Sequence, residues 1–142
     1  MLRPDDDLFG VQPVIGQPEP TAADRARVAA EAALDKKGDR VAVLEVGDVL
    51  AIIECFVLVS AANVRQVRTI VEEVEERVAA ADGGKPRSIE GLADASWVLM
   101  DYGDVVVHVF LAETREFYDL DRLWGDVPRT DLPAVPEPAQ PT

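Results

Sequence analysis

Asp101 and Asp104 flank the dipeptide Tyr102-Gly103 within WVLMDYGDVVVHVF (Trp97 to Phe110), a run that also holds Trp97 and the chain's only histidine, His108. Two carboxylates beside a turn can grip a cation, a tryptophan can anchor a partner, and a histidine can carry a proton near neutral pH. Apolar residues on both sides of a Tyr-Gly pair predict a hairpin. With Tyr102-Gly103 as a two-residue turn, Asp101 faces Asp104, Met100 meets Val105, Leu99 meets Val106, Val98 meets Val107, and Trp97 lands opposite His108. Alternation then puts Trp97, Leu99, Asp101, Asp104, Val106, His108 and Phe110 on one face, and Val98, Met100, Val105, Val107 and Val109 on the other. The second set is core; the first has the mixture of a binding patch with an aromatic anchor.

Opposed aspartates repel unless the turn splays them or a cation lies between them. A metal, the basic side chains of another protein, and a merely soluble turn all answer that requirement. A metal needs more than two ligands, and no third carboxylate, histidine or cysteine stands at ligand spacing. His108 lacks a serine or cysteine in a nucleophile elbow, so packing on Trp97 is the simpler role. Cys55 lies among Ile53, Phe56 and Val57, which raise a thiol's pKa, and it reads as a small buried side chain.

These residues need a scaffold, and 142 residues with 48% apolar content suffice for one domain. Nine of the ten prolines fall in residues 1–20 and 127–142, so the expected organisation is a disordered N-terminal extension (1–20), a folded domain (21–126) and a disordered Pro-rich tail (127–142). Thr21 with Asp24 makes a box-like cap for a first helix that stops at Gly38. Val41 to Val46 reads as a strand, Gly47-Asp48 as a turn, and Val49 to Ser60 as a long strand buried on both faces. Glu54 interrupts that run and must be paired, solvated at a bend, or functional. Asn63 and Gln66 cap a second helix whose Val64, Val67, Val71, Val74 and Val78 form its inner stripe; its glutamates are a solvated face. After the hairpin, Phe117, Tyr118, Leu120, Leu123 and Trp124 fall at helical spacing, expected to dock aromatics on the sheet before Gly125. Helices alternating with strands make the fold class α/β.

The formal net charge is −13. Such a chain repels nucleic acid and is drawn to a basic surface. Residues 1–10 contain three consecutive aspartates where a signal peptide needs apolar residues, and with one cysteine the expected location is the cytoplasm.

The segment CFVLVSAANVRQV (Cys55 to Val67), Glu90-Gly91, WVLMDYGDVVVHVF and the closing REFYDLDRLW (Arg115 to Trp124) together resemble the ribosomal silencing factor family, RsfS or Iojap, over about residues 22–126. The resemblance implies a mixed sheet of about five strands with flanking helices, similar to the nucleotidyltransferase fold but without its catalysis. It implies binding to the fourteenth protein of the large ribosomal subunit, steric block of subunit joining, and repression of translation in stationary phase or nutrient limitation, with no cofactor. Motif position carries over Trp97, Asp101, Tyr102 and Asp104 as partner-binding residues, and Glu90 and His108 with them. Two departures stand out: Glu54 where the family has aspartate, and Ser60-Ala61-Ala62-Asn63-Val64 where it has Ser-Gly and small polar residues. An enzyme of the nucleotidyltransferase kind, with Asp101 and Asp104 as metal ligands, is the alternative; Ser60-Ala61-Ala62 lacks its glycine-serine phosphate loop. The hairpin's apolar face is also suited to self-association as a homodimer.

Overall fold

Thr21 caps the first helix by accepting a bond from the Asp24 amide at 3.1 Å, and Asp24 returns one to the Thr21 amide at 3.0 Å. In both bonds the amide donates and the side-chain oxygen accepts, which satisfies amides that a helix start leaves free. The computed structural model describes residues 20–133. In chain order these form α1 (Ala22–Asp35), β1 (Asp39–Glu45), α2 (Gly47–Leu50), β2 (Cys55–Ala61), α3 (Val64–Ala80), β3 (Ser88–Glu90), β4 (Trp97–Asp101), β5 (Val105–Leu111), α4 (Ala112–Tyr118), α5 (Leu120–Leu123) and β6 (Arg129–Leu132).

The strands make one mixed sheet in the order β3-β4-β5-β2-β1-β6. β2 lies parallel to β5 and antiparallel to β1, and all seven of its residues are buried, as its apolar run requires of a central strand. The alanines of α1 and the stripe Val67, Ile70, Val71, Val74 and Val78 of α3 pack on one face, against Val57, Val59, Val98, Met100, Val107 and Val109. Full burial stabilises each such side chain by roughly 1.5–3 kcal/mol. The other face carries Ala42, Leu44, Phe56, Leu58, Val106 and Phe110, covered by Leu120 of α5.

Three expectations change. The run Val49–Ser60 is not one strand: Ala51 takes a φ of 50°, which breaks an extended chain, and β2 begins only at Cys55. Glu54 is thereby exposed in the bend before β2. The mixed sheet, expected to have about five strands, has six, and the sixth, β6, pairs antiparallel with β1 inside the stretch expected to be tail. Its alternative would have been an unpaired β1 edge, which a short strand of exposed, charged residues covers. The expected extension (1–19) and the rest of the tail (134–142) lie outside the described residues.

Gly91 follows β3 with a φ of 93°, and a Cβ there would run into the Trp97 carbonyl. Gly91→Ala is therefore expected to destabilise the fold by at least the roughly 1–3 kcal/mol of a strained left-handed residue. A denaturant midpoint equal to the parent's would contradict that strain.

Candidate functional site

Cross-strand pairing builds the site. Glu90 pairs with Leu99, Leu99 with His108, and His108 with Leu58, which puts the four in one row across the sheet. Beside that row, Trp97 pairs with Phe110 and Asp101 with Val106. Over the row lies the α4–α5 turn, whose Tyr118 ring is 4.9 Å from Trp97; Trp124, just beyond α5, meets Phe56 edge-on at 5.4 Å. His108 sits beneath, edge-on to Phe56 at 4.7 Å and stacked on Phe110 at 5.8 Å.

The hairpin register differs from the expected one by two residues. Tyr102 and Val105 close it, with the Tyr102 amide bonded to the Val105 carbonyl at 2.8 Å, so Gly103-Asp104 forms the turn. Gly103, with φ 98°, thereby takes the first central position, where a type II′ turn needs a glycine. A shift of two preserves parity, and the partition into Trp97 and valine faces survives. What does not survive is the pair of facing aspartates. Asp101 lies opposite Val106 and accepts the Gly103 amide at 2.7 Å, while Asp104 forms an ion pair with Arg25 of α1. The cation that the two carboxylates called for is thus supplied to one of them from within the chain.

Of the six expected partner-binding residues, the fold brings Trp97, Asp101, Glu90 and His108 to one face and sends the other two elsewhere. Tyr102 packs with the α1–α3 core, where burial and then Glu75 push its hydroxyl up to about 12. Among the described residues its oxygen has no hydrogen-bond partner. His108 is only 6% exposed and lies under Trp97 rather than beside it on the surface. The Trp97 indole donates to His108 Nδ1 at 3.2 Å, so the neutral ring carries its proton on Nε2. Burial, aided by Arg115, pushes this histidine down to about 4. A ring with its lone pair engaged and its charged form disfavoured is a packing element, as the sequence implied.

The outer residues of the α4–α5 turn, expected to dock on the sheet, face outward instead. Phe117 is 79%, Leu123 74% and Tyr118 54% exposed, so the apolar residues of this segment do not all dock inward. Helical spacing alone cannot show which side of a seven-residue helix faces water. Sequence reasoning missed Arg115, whose side chain is fully buried between α4 and the sheet. It donates to Asp121 through Nε at 2.9 Å and Nη2 at 2.8 Å, and through Nη1 to the Arg40 carbonyl at 2.6 Å and Ser60 Oγ at 3.1 Å. Arg129 of β6 adds a bond to Asp121 at 2.7 Å. Hydrogen bonds from Arg115, reinforced by Arg129, hold the Asp121 carboxyl well below the usual carboxylate range.

A cavity of about 680 Å³ opens on the opposite side of the sheet, between α1, the α2 turn and β6. Glu45 and Glu54 stand at it and Cys55 lines it; burial and then these glutamates push the thiol up, which keeps it protonated and unreactive. Among the described residues no group of three or more histidine, cysteine, aspartate or glutamate side chains is placed to hold a metal ion. No helix there is long and apolar enough to cross a membrane.

A family model described as "ribosomal silencing factor during starvation" matches residues 19–142. The chain belongs to this ribosomal silencing factor family. It is 36% identical over 106 residues to the ribosomal silencing factor of Bacillus subtilis, covering 75% of this chain and 89% of that protein. It is 38% identical over 109 residues to that of Halalkalibacterium halodurans, covering 77% and 92%. A crystal structure of a Chromobacterium violaceum protein superposes with a TM-score of 0.70 at 28% identity, over 84% of this chain and 99% of that one. The fold of this chain is therefore shared with a solved structure, and the family match runs through β6 as well as the hairpin.

Proposed function

We propose that this silencing factor binds the large ribosomal subunit through the aromatic face of its sheet, at the fourteenth large-subunit protein, and represses translation by blocking the small subunit sterically. The observation that carries the reading is the apolar surface itself. Exposed Phe117, Tyr118 and Leu123 continue into half-buried Trp97, Leu99 and Trp124, on a chain with a net charge of −13. Aromatic anchors supply holding energy in a desolvated centre, while the acidic rim, Glu90 and Asp101 included, steers encounter with a basic partner. Binding and exclusion require no covalent step and no cofactor, and the factor would work in the cytoplasm. The nucleotidyltransferase alternative loses one of its two supports, the facing carboxylates, because Asp101 lies opposite Val106 and Asp104 pairs with Arg25.

The test is co-sedimentation with purified large subunits. Phe117→Ser with Leu123→Ser, both at exposed positions, is expected to weaken binding about 30-fold or more, the scale of one hot-spot residue. Asp101→Lys is expected to slow association and to flatten its salt dependence. A parent protein that stays in the supernatant would remove the proposal. The same uncovered apolar surface also favours self-association, and mass measured across a dilution series, parent against the Phe117/Leu123 variant, tests whether two copies use it.

A further inference from the structure

We propose that Asp121 is a positioning residue for the docking face, and that Arg129 of β6, which lies outside that face, helps to set how tightly the face holds its partner. The inference rests on the docking reading above and asks what keeps the exposed aromatics in place. α4 has seven residues and α5 four, too few for either to be stable by itself. They join at Asp119, whose left-handed φ of 52° and ψ of 49° turns the chain without any side-chain cap. Phe117 and Leu123 are mostly exposed and Tyr118 meets the sheet through Trp97, so the placement of all three depends on the inner side of the turn.

On that inner side, a single carboxylate takes the strain of alignment. Asp121 receives a two-pronged grip from Arg115, which is itself fixed by the Arg40 carbonyl and Ser60. Two parallel N–H bonds define an orientation as well as a distance. Arg129 then reaches Asp121 Oδ1 from a strand laddered onto β1 from Val41 to Leu44, and Pro128 anchors the same strand by accepting the Glu45 amide at 2.9 Å. α5 is thus tied to the sheet by interior Arg115 and by two peripheral arginines, Arg129 at 2.7 Å and Arg40 of β1 at 3.8 Å. The interior one, Arg115, is fully buried. Of the peripheral two, Arg129 makes the shorter contact, is partly exposed, and ends a path of contacts from β6 through Asp121 to the rest of α5.

Arg129→Ala, Arg129→Lys and the control Asp131→Asn separate positioning from stability. Asp131 is the other carboxylate bonded to Arg129, at 3.0 Å, so its loss leaves the Asp121 link in place. Three readouts are compared with the parent: dissociation rate from purified large subunits, ¹⁹F relaxation of fluorotyrosine at Tyr118, and the denaturant midpoint. The expected result for Arg129→Ala is about fivefold faster dissociation, in keeping with loss of one partly exposed charged bond, with a more mobile Tyr118 and a nearly unchanged midpoint. Arg129→Lys recovers part of the rate, and Asp131→Asn matches the parent. An unchanged Tyr118 signal and unchanged dissociation would overturn the inference. So would a fall in midpoint that accounts for the faster dissociation and is not relieved by lysine. If the parent fails to bind, the docking reading falls, and Tyr118 mobility in the free protein still decides the positioning claim.

Discussion

Arg115→Met is expected to destabilise the protein by about 3–5 kcal/mol, the scale for removing one partner of a buried ion pair. The guanidinium has no exposed surface and serves three acceptors on three segments: Asp121 on α5, Ser60 on β2 and the Arg40 carbonyl on β1. Methionine fills much of the volume but donates nothing, so buried Ser60 and the part-buried Arg40 carbonyl each lose a bond. Asp121 keeps Arg129, which tempers the loss. The double variant Arg115→Met with Asp121→Leu should recover part of the stability, because an apolar pair carries no uncompensated charge. Equilibrium denaturation of parent, single and double variants checks both statements. A single variant within about 1 kcal/mol of the parent, the range of an exposed ion pair, would mean that Arg115 is held by packing alone.

That clamp also marks where the sequence stopped being legible. The Thr21 box and the valine stripe of α3 are local signals, each written within a turn or two of helix, and both are present in the fold. The two faces of the hairpin were legible for the same reason, since alternation survives a register shift of two. The register itself depended on which central position Gly103 occupies, and the closing bond from Tyr102 to Val105 decides that. Partners distant in sequence were not legible. Asp104 meets Arg25 across 79 positions, and Arg115 meets the Arg40 carbonyl across 75. No local pattern announces such pairs, so Asp104 read as a free carboxylate for a partner and Arg115 went unremarked. β6 was hidden by composition: Pro128 and Pro133 bracket a four-residue edge strand, where proline is tolerated because the outer amides need no ladder.

His108 is expected to make the protein more sensitive to mild acid than its other groups would. Its folded-state pKa is pushed from 6.5 down to about 4, chiefly because burial among Phe56, Trp97 and Phe110 disfavours the charged ring. The unfolded chain takes up the proton as pH falls through about 6.5, whereas the native state resists until about 4. Between those limits the unfolded state holds more protons, so stability is present in full above the upper limit and is lost progressively down to the lower one. At 1.36 kcal/mol per pKa unit the loss attributable to this one residue is about 3 kcal/mol. Subtracting the pH profile of His108→Phe, which cannot titrate there, removes the contribution of the carboxylates common to both proteins. The variant also strands the Trp97 indole N–H, so its profile should begin lower at neutral pH, lie flatter, and converge with the parent's as pH falls. Parallel profiles from pH 7 to pH 4, or a folded-state ¹H titration of His108 with its midpoint near 6.5, would show that the ring is wet and that the aromatic face above it is less closed than its packing implies.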